Sequence, residues 1–245
     1  MQSTSPFFGE LYLRSTRPFL GPGLSEREAA YLVRALSGST APGPVIDLGC
    51  GHGRHAIRMQ GRLPGGRSVI GLELDALSLK EREGAFPAIR GDLKALPFRT
   101  GSLGGAFAWY STLFAFEDDV QRHILREVAR CLAPGAWLIA QTSPLERFER
   151  APTARFEGTL PDGSRLREQS RFDPATGRDE GIRELETPDG RVLSAQYFIR
   201  YYRASELADL LTSEGFTVRW VHGGLEGEPP DAQSTDLIMG VQRNG

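Results

Sequence analysis

Between Val45 and His55 an apolar strand signal runs straight into a loop with three glycines two apart: Val45-Ile46-Asp47-Leu48-Gly49-Cys50-Gly51-His52-Gly53-Arg54-His55. Glycine tolerates positive φ and lets backbone approach a ligand closely, so a strand ending in such a turn and opening a helix marks the ligand-facing corner of an α/β sheet. The spacing selects among ligands. A dinucleotide site needs G-x-G-x-x-G, with its third glycine close against the helix, and that position holds Arg54. A nicotinamide or flavin cofactor is therefore disfavoured.

Around this loop apolar strands alternate with amphipathic helices from Val45 to Thr142, the pattern of a parallel sheet with helical crossovers. Strands are predicted at 45–48, 68–72, 88–89, 106–109 and 136–142, with a helix over 119–132. Between them and the end of the chain, Pro161-Asp162-Gly163, Pro174-Ala175-Thr176-Gly177 and Pro188-Asp189-Gly190 divide short alternating segments, which is hairpin chemistry. A helix opened by Ser205 and strands at 216–221 and 237–241 follow. The predicted fold is α/β: a seven-stranded, mostly parallel sheet flanked by helices, with a small antiparallel β insert. The expected organisation is an aromatic-rich opening and helix over 1–42, a core over 43–149 and 203–245, and the insert over 150–202. Within 1–42, Ser25 and Glu28 form a capping-box pattern ahead of Ala29, Leu32, Val33 and Leu36.

Two further acids follow strand ends. Glu73 closes the second strand about 20 residues past the loop, where a carboxylate can accept both ribose hydroxyls. Asp92 follows the third strand, with Leu93 beside it to cover an adenine ring.

These runs, VIDLGCGHGRHAIRM, VIGLELD, GDLKALPF and LAPGAWLIA, resemble the successive motifs of class I S-adenosylmethionine-dependent methyltransferases. The resemblance implies that Gly49, Gly51 and Gly53 pass under the methionine part of the cofactor, that Glu73 holds the ribose and Asp92 the adenine, and that Asp47 orients the loop. It adds Cys50, Leu74, Leu93 and Trp109 as cofactor contacts, S-adenosylhomocysteine as product, a Rossmann-like topology for the sheet, and an N-terminal helical lid, formed by the opening segment within 1–42, that folds over the bound cofactor. The hairpin insert, with Phe198–Leu207 after it, resembles a small-molecule branch whose members carry a sheet insert after the fifth core strand, among them N-methyltransferases of amino sugars and antibiotic precursors. Gly104, where that pattern has Asp, and Ala136, where it has Gly, depart from it. The fourth strand ends in Trp109-Tyr110-Ser111-Thr112 and lacks the Asn/Asp-Pro-Pro-Tyr signature of enzymes that methylate planar amino groups.

The expected reaction is methyl transfer to nitrogen or oxygen of a small molecule by in-line displacement. It demands positioning more than acid–base machinery, and no triad or carboxylate pair stands out. Tyr12, Arg14, Trp109, Tyr110, Arg200 and Tyr202 are candidates for the acceptor pocket, with no catalytic residue assigned. Excision of the insert is expected to leave cofactor binding largely intact while abolishing acceptor specificity. His52 and His55 lack a third ligand nearby in sequence, so no metal is expected. Glu117-Asp118-Asp119 reads as the acidic start of a helix. A net charge of −2 with no basic run speaks against nucleic acid as partner, and no apolar run reaches membrane-spanning length. Cys50 and Cys131 read as reduced, buried thiols in a cytoplasmic protein, monomeric or homodimeric. A protein or RNA target, or a non-catalytic cofactor-binding partner subunit, are the alternatives.

Overall fold

The computed structural model describes residues 7–245, so the first six positions of the expected lid segment lie outside the described residues. Two helices come first, α1 (Glu10–Thr16) and α2 (Pro22–Ser37). The alternation follows as β1 (Val45–Leu48), α3 (Ala56–Met59), β2 (Val69–Glu73), α4 (Ala76–Lys80), β3 (Ala88–Arg90), β4 (Leu103–Ala108), α5 (Asp118–Cys131) and β5 (Leu132–Thr142). After α6 (Leu145–Arg150) come four hairpin-linked strands, β6 (Thr153–Thr159), β7 (Arg165–Asp173), β8 (Arg178–Glu186) and β9 (Val192–Arg200). The chain ends with α7 (Ala204–Ser213), β10 (Phe216–His222) and β11 (Leu237–Arg243).

Seven strands form one sheet in the order β10-β11-β5-β4-β1-β2-β3, with β11 antiparallel to both its neighbours. The chain winds outward from β1 to β3 and then returns to place β4 on the other side of β1. That reversal opens a crevice beyond the carboxyl end of β1, where open α/β sheets bind their ligands. Both faces of the sheet are covered, which is why β1 and β4 are buried along their whole length. Val45, Val69 and Phe107 pack with Leu32 and Leu36 of α2 and Met59 of α3. Their strand neighbours Ile46, Leu72 and Ala106 pack with Ile124 and Val128 of α5 and Leu211 of α7. The period-2 alternation of side chains sends adjacent residues of each strand into opposite cores.

β4 begins three residues earlier than its sequence indicates, because Gly104 and Gly105 mute the strand signal. A Cβ on Gly104 would lie 2.5 Å from the Gly43 carbonyl oxygen. The backbone of 41–43 thus packs directly on β4, which leaves no room for a side chain at Gly104.

Two helix starts differ from expectation. α2 opens at Pro22, with Gly21 at the N-cap and no side-chain cap. Ser25 and Glu28 therefore lie inside the helix, buried on the same face as Ala29, Leu32 and Leu36. The capping-box pattern was in fact part of the buried stripe. Similarly, α7 starts at Ala204, and the Arg203 N–H donates to the Glu206 carboxylate at 2.9 Å, so Ser205 sits in the first turn rather than at the cap.

The inserted sheet is antiparallel, in the order β6-β7-β8-β9, and each of its three turns places a glycine at positive φ: Gly163, Gly177 and Gly190. One face of it, through Leu166, Leu185, Leu193 and Ala195, encloses Leu11 of α1. Arg183, held by both Glu168 oxygens at 2.9 and 2.8 Å, also donates to Ser15 and Thr16 at 3.2 and 2.8 Å. At the other edge Arg178 bridges Glu117 at 2.7 Å and Asp118 at 3.3 Å. The acids at 117–118 thus clasp the insert, while Asp119 accepts from the Val120 N–H at 2.8 Å. The insert supplies the apolar bed on which α1 lies. Its excision would uncover Leu11, which packs among Leu166, Leu185, Leu193 and Ala195.

No helix among the described residues is long and apolar enough to cross a membrane.

Candidate functional site

A pocket of about 190 Å³ lies at the carboxyl ends of β1, β2, β3 and β4 and is roofed by the start of α1. Gly49, Gly51, Glu73, Leu74, Asp92, Leu93 and Tyr110 line it from the sheet side, and Phe8, Gly9 and Tyr12 from above. Glu73 is the last residue of β2. Its Oε2 accepts from the Gly51 N–H at 2.8 Å and its Oε1 from the Asp75 N–H at 2.9 Å. Two backbone amides thus fix the carboxylate, and each oxygen retains a lone pair to offer a ligand. Asp75 in turn caps α4 by accepting from the Ser78 N–H at 2.7 Å. Asp92 accepts from the Lys94 N–H at 2.9 Å, which holds it at the far end of the pocket.

The three loop glycines share positive φ for three different reasons. A Cβ on Gly49 would lie 2.5 Å from Thr112 Cγ2, so this glycine admits the turn after β4. One on Gly51 would meet no atom within 4 Å and would project into the open pocket, so this glycine keeps space for a ligand. One on Gly53 would lie 2.0 Å from the Phe86 ring, which seals the loop from below. Gly53 therefore packs against Phe86 and does not line the pocket, whereas Gly49 and Gly51 do.

A smaller recess of about 50 Å³ opens off the same loop and shares Tyr12, Gly49, Gly51, Tyr110 and Thr112 with the pocket. Asp47, Cys50, Arg54, His55 and Trp109 also line it. Beneath the recess Glu28 collects Arg54 Nη1, His55 Nε2 at 3.0 Å and Trp109 Nε1 at 3.1 Å. Burial raises the Glu28 carboxyl, but the hydrogen bonds from His55 and Arg54 outweigh it and hold the group below the ordinary carboxylate range. Burial pushes His55 down to about 4, so at neutral pH its ring is uncharged.

Asp47 is only 2% exposed, and its Oδ2 has no hydrogen-bond partner. Burial pushes its carboxyl up to about 8, against the pull of Arg54 and with the help of Glu73. An unfolded aspartate titrates near about 4. Between those values the folded chain holds a proton that the unfolded chain has released, so Asp47 makes stability fall as pH rises from about 4 to about 8. Asp47→Asn is expected to remove this slope. Its melting temperature should exceed that of the wild type at pH 8 and converge with it near pH 4, measured by thermal denaturation of ligand-free protein. Parallel curves over that range would refute the assignment.

β4 runs into Tyr110 and Ser111, both at left-handed φ, 53° and 57°. Non-glycine residues there carry about 1–2 kcal/mol of strain each, and such strain clusters at functional sites. Gln141 holds the turn: its Oε1 accepts from the Tyr110 N–H at 2.7 Å and its carbonyl from the Ser111 N–H at 3.1 Å. The result lays the Tyr110 ring 4.9 Å from the Arg54 guanidinium, between recess and pocket. Burial raises the phenols of Tyr12 and Tyr110, so at neutral pH both present O–H donors and aromatic faces.

Other expected site residues lie elsewhere. Arg14 pairs with Glu10 at 3.6 Å and Asp162 at 3.2 Å on the outer side of α1. Arg200 donates to the Thr176 carbonyl and stacks on the Tyr202 ring at 4.8 Å. Tyr202 is itself in the core, where its hydroxyl accepts from Gln121 Nε2 at 2.8 Å. None of these three lines the pocket or the recess: Glu10 and Asp162 engage Arg14, the hairpin turn at 174–177 engages Arg200, and α5 engages Tyr202. Trp109 and Cys50 line the recess rather than the main pocket, and Leu74 stands half-exposed at the rim. Cys50 and Cys131 are free and buried. His52 faces Glu83 while His55 bonds Glu28, so the two rings diverge. Among the described residues no group of three or more His, Cys, Asp or Glu is placed to hold a metal.

Sequence reasoning missed Phe8, Thr112, Glu28 and Arg54. For Glu28 a signal existed: an acid at an i, i+4, i+8 position (28, 32, 36) of an otherwise apolar helical stripe. Arg54 gave none beyond its place in the loop.

The pocket fits the cofactor that the glycine loop suggests: a fixed carboxylate for vicinal hydroxyls, a second acid one strand over, open space above Gly51, and beside it two buried polar atoms without partners. Comparison with known proteins agrees. Residues 45–135 match a family described as a methyltransferase domain. The chain is 34% identical over 125 residues to a tRNA U34 carboxymethyltransferase of Methylococcus capsulatus, a match spanning 46% of this chain and 37% of that enzyme's length. It is 26% identical over 231 residues to a cypemycin N-terminal methyltransferase of a Streptomyces species, covering 86% of this chain and 85% of the relative. Among solved structures, the CcbJ methyltransferase of Streptomyces caelestis superposes with a TM-score of 0.72 at 23% identity, over 90% of each chain. CalS10 of Micromonospora echinaspora, an amino pentose methyltransferase solved with S-adenosylmethionine bound, has a TM-score of 0.65 at 18% identity, over 96% of this chain and 97% of that one. Residues 45–135 thus match a methyltransferase domain, and the chain as a whole shares the fold of methyltransferases of known structure, with an inserted four-stranded sheet.

Proposed function

We propose that the chain transfers a methyl group from S-adenosylmethionine to a nitrogen or oxygen of a small molecule, with an amine as the favoured acceptor. The observation that carries the reading is the Glu73 carboxylate, fixed by the Gly51 and Asp75 amides in one pocket with Asp92 and the open face of Gly51. Near-full-length likeness to an N-terminal methyltransferase supports the amine. A net charge of −2 supports a small acceptor over RNA and is compatible with a cytoplasmic setting.

When bound, S-adenosylmethionine supplies a methyl group on a positively charged sulfur, a centre that needs no further activation. In this reading Glu73 accepts from the ribose hydroxyls, Asp92 from the adenine amino group, and Leu93 covers the ring. Asp47 faces the methionine end. Phe8, just before α1, and Tyr12, on that helix bedded on the insert, close the site from above and exclude water. Tyr110 and Thr112 form the wall that faces an incoming acceptor. Aligning nucleophile and methyl group in this way can remove roughly 7–11 kcal/mol of barrier.

Calorimetric titration with S-adenosylmethionine and S-adenosylhomocysteine tests the donor half, with micromolar binding of both expected. A panel of amino sugars, peptide amines and phenols then tests the acceptor half, read by mass spectrometry. Folded protein that binds neither cofactor form would overturn the reading, and binding without turnover of any acceptor would leave a partner subunit in its place.

A further inference from the structure

Strand β6 is an outer strand of the inserted sheet and pairs only with β7 among the described residues. The Phe172 N–H donates to the Pro152 carbonyl and the Leu160 N–H to that of Ser164. Antiparallel pairing alternates along a strand. The N–H and C=O groups of Thr153, Arg155, Glu157 and Thr159 therefore point away from β7, and none has a backbone partner among the described residues. Such an edge pairs readily with another extended chain, and proteins guard it with a proline, a bulge, an inward charge or a cover. β6 has none of these. Its register is unbroken, it contains no proline, and all of it but Gly158 is exposed. On the face that Leu166 turns to α1 it presents Ala154, Phe156 and Gly158, with the charges of Arg155 and Glu157 on the opposite face.

This edge leads to the donor pocket. The Phe156 ring meets Phe19 edge-on at 6.0 Å, and the two are 44% and 54% exposed. Leu20, next in the chain, lines the recess with Tyr110, and Tyr110 and Phe8 line the pocket and are themselves exposed. An apolar track thus runs from the pocket mouth to a free strand edge, and a contiguous exposed apolar patch marks a binding surface. A compact polar acceptor would use neither. An extended peptide uses both, its main chain on the edge and its apolar side chains on the rings.

We infer that the acceptor is the N-terminal amine of a short peptide, bound as an added strand along β6. The inference rests on the methyl-donor reading above and names its acceptor. The amine nitrogen forms the new N–C bond as the S–C bond breaks, the electron pair stays on sulfur, and the surplus proton on nitrogen passes to solvent water. Alternate residues of the peptide exchange hydrogen bonds with Thr153, Arg155, Glu157 and Thr159, while the first residue reaches past Phe19 and Leu20 to the donor.

The test uses a synthetic hexapeptide amide of alternating valine and threonine with a free N-terminus, its dipeptide and tetrapeptide truncations, and glucosamine as a compact amine. With S-adenosylmethionine as donor, kcat/KM should rise at least tenfold from dipeptide to hexapeptide and exceed that for glucosamine. Methylating single backbone amides of the hexapeptide should lower kcat/KM about 2- to 10-fold at every second residue and change it little between, the range of one hydrogen bond each. Phe156→Ala is expected to raise KM for the hexapeptide about 3- to 10-fold, and to leave KM for the dipeptide and the affinity for S-adenosylhomocysteine within about twofold. No gain with length, losses without a period of two, or preference for glucosamine would each overturn the inference, and so would donor binding without turnover of any peptide. The length series and the amide scan need no variant, so a poorly folding Phe156→Ala does not shield it. Folded protein that binds neither S-adenosylmethionine nor S-adenosylhomocysteine in calorimetry would instead be the failure of the donor reading.

Discussion

Glu73→Ala should weaken both S-adenosylmethionine and S-adenosylhomocysteine at least tenfold. Two effects add. The ribose loses a charged acceptor, and hydrogen bonds to a charged group contribute about 1.5–3 kcal/mol, where about 1.4 kcal/mol is a decade in affinity. The Gly51 and Asp75 amides also lose the carboxylate that holds them at 2.8 and 2.9 Å. The loop and the start of α4 are then free to move apart, and the pocket is no longer preformed. Glu73→Gln should fall between, because a neutral amide offers only one acceptor oxygen for two N–H groups. Both substitutions should weaken 5′-methylthioadenosine, which lacks the amino acid head, as much as S-adenosylhomocysteine, since the ribose is common to the two. Unchanged affinity in calorimetry would remove Glu73 from the ribose and the donor reading with it.

The second large effect is on stability. Gly53→Ala forces an L residue to φ +79° and drives a methyl group to within 2.0–2.1 Å of the Phe86 ring. Left-handed backbone costs about 1–2 kcal/mol and overpacking about 1–3 kcal/mol. Phe86 is 7% exposed and cannot simply swing into solvent. For a chain of this size the sum lowers the melting temperature by roughly 5–15 °C. Gly51→Ala provides the contrast. At φ +55° its methyl meets no protein atom, so the loss of melting temperature should be smaller while donor affinity falls, because the methyl enters the pocket. Thermal unfolding and cofactor titration of the two variants side by side decide whether these glycines divide the work. Equal melting temperatures would show that Phe86 gives way more easily than its burial implies.

What could be read in advance follows from short-range physics. The glycine loop, the strand before it and the acids at the ends of the next two strands each declare themselves within a window of ten or so residues, through φ preference, burial and period-2 alternation. The three proline- and glycine-bearing turns of the insert were equally local. Misreadings arose where one pattern admits two causes. Ser25 with Glu28 satisfies both a cap and a buried helical stripe, and only the start of α2 at Pro22 separates them. Gly104 suppresses a strand signal that a neighbouring backbone segment makes possible. Arg200 and Tyr202 share the texture of pocket residues, yet the turn at 174–177 and α5 take them.

The sequence by itself thus determined the α/β class, the ligand corner after β1, the Glu73 and Asp92 positions and the existence of a separate antiparallel sheet. Each of these depends on neighbours along the chain. Only the tertiary structure decided that Glu28, from 26 and 27 residues away, binds Arg54 and His55, and that Trp109 joins them from 81 residues away. It alone decided that the insert forms the bed of α1, and that Tyr110 and Ser111 are held in left-handed backbone by Gln141 from the next strand. Those contacts bring together groups far apart in sequence, and their free energy exists only once the sheet has placed them within hydrogen-bond reach.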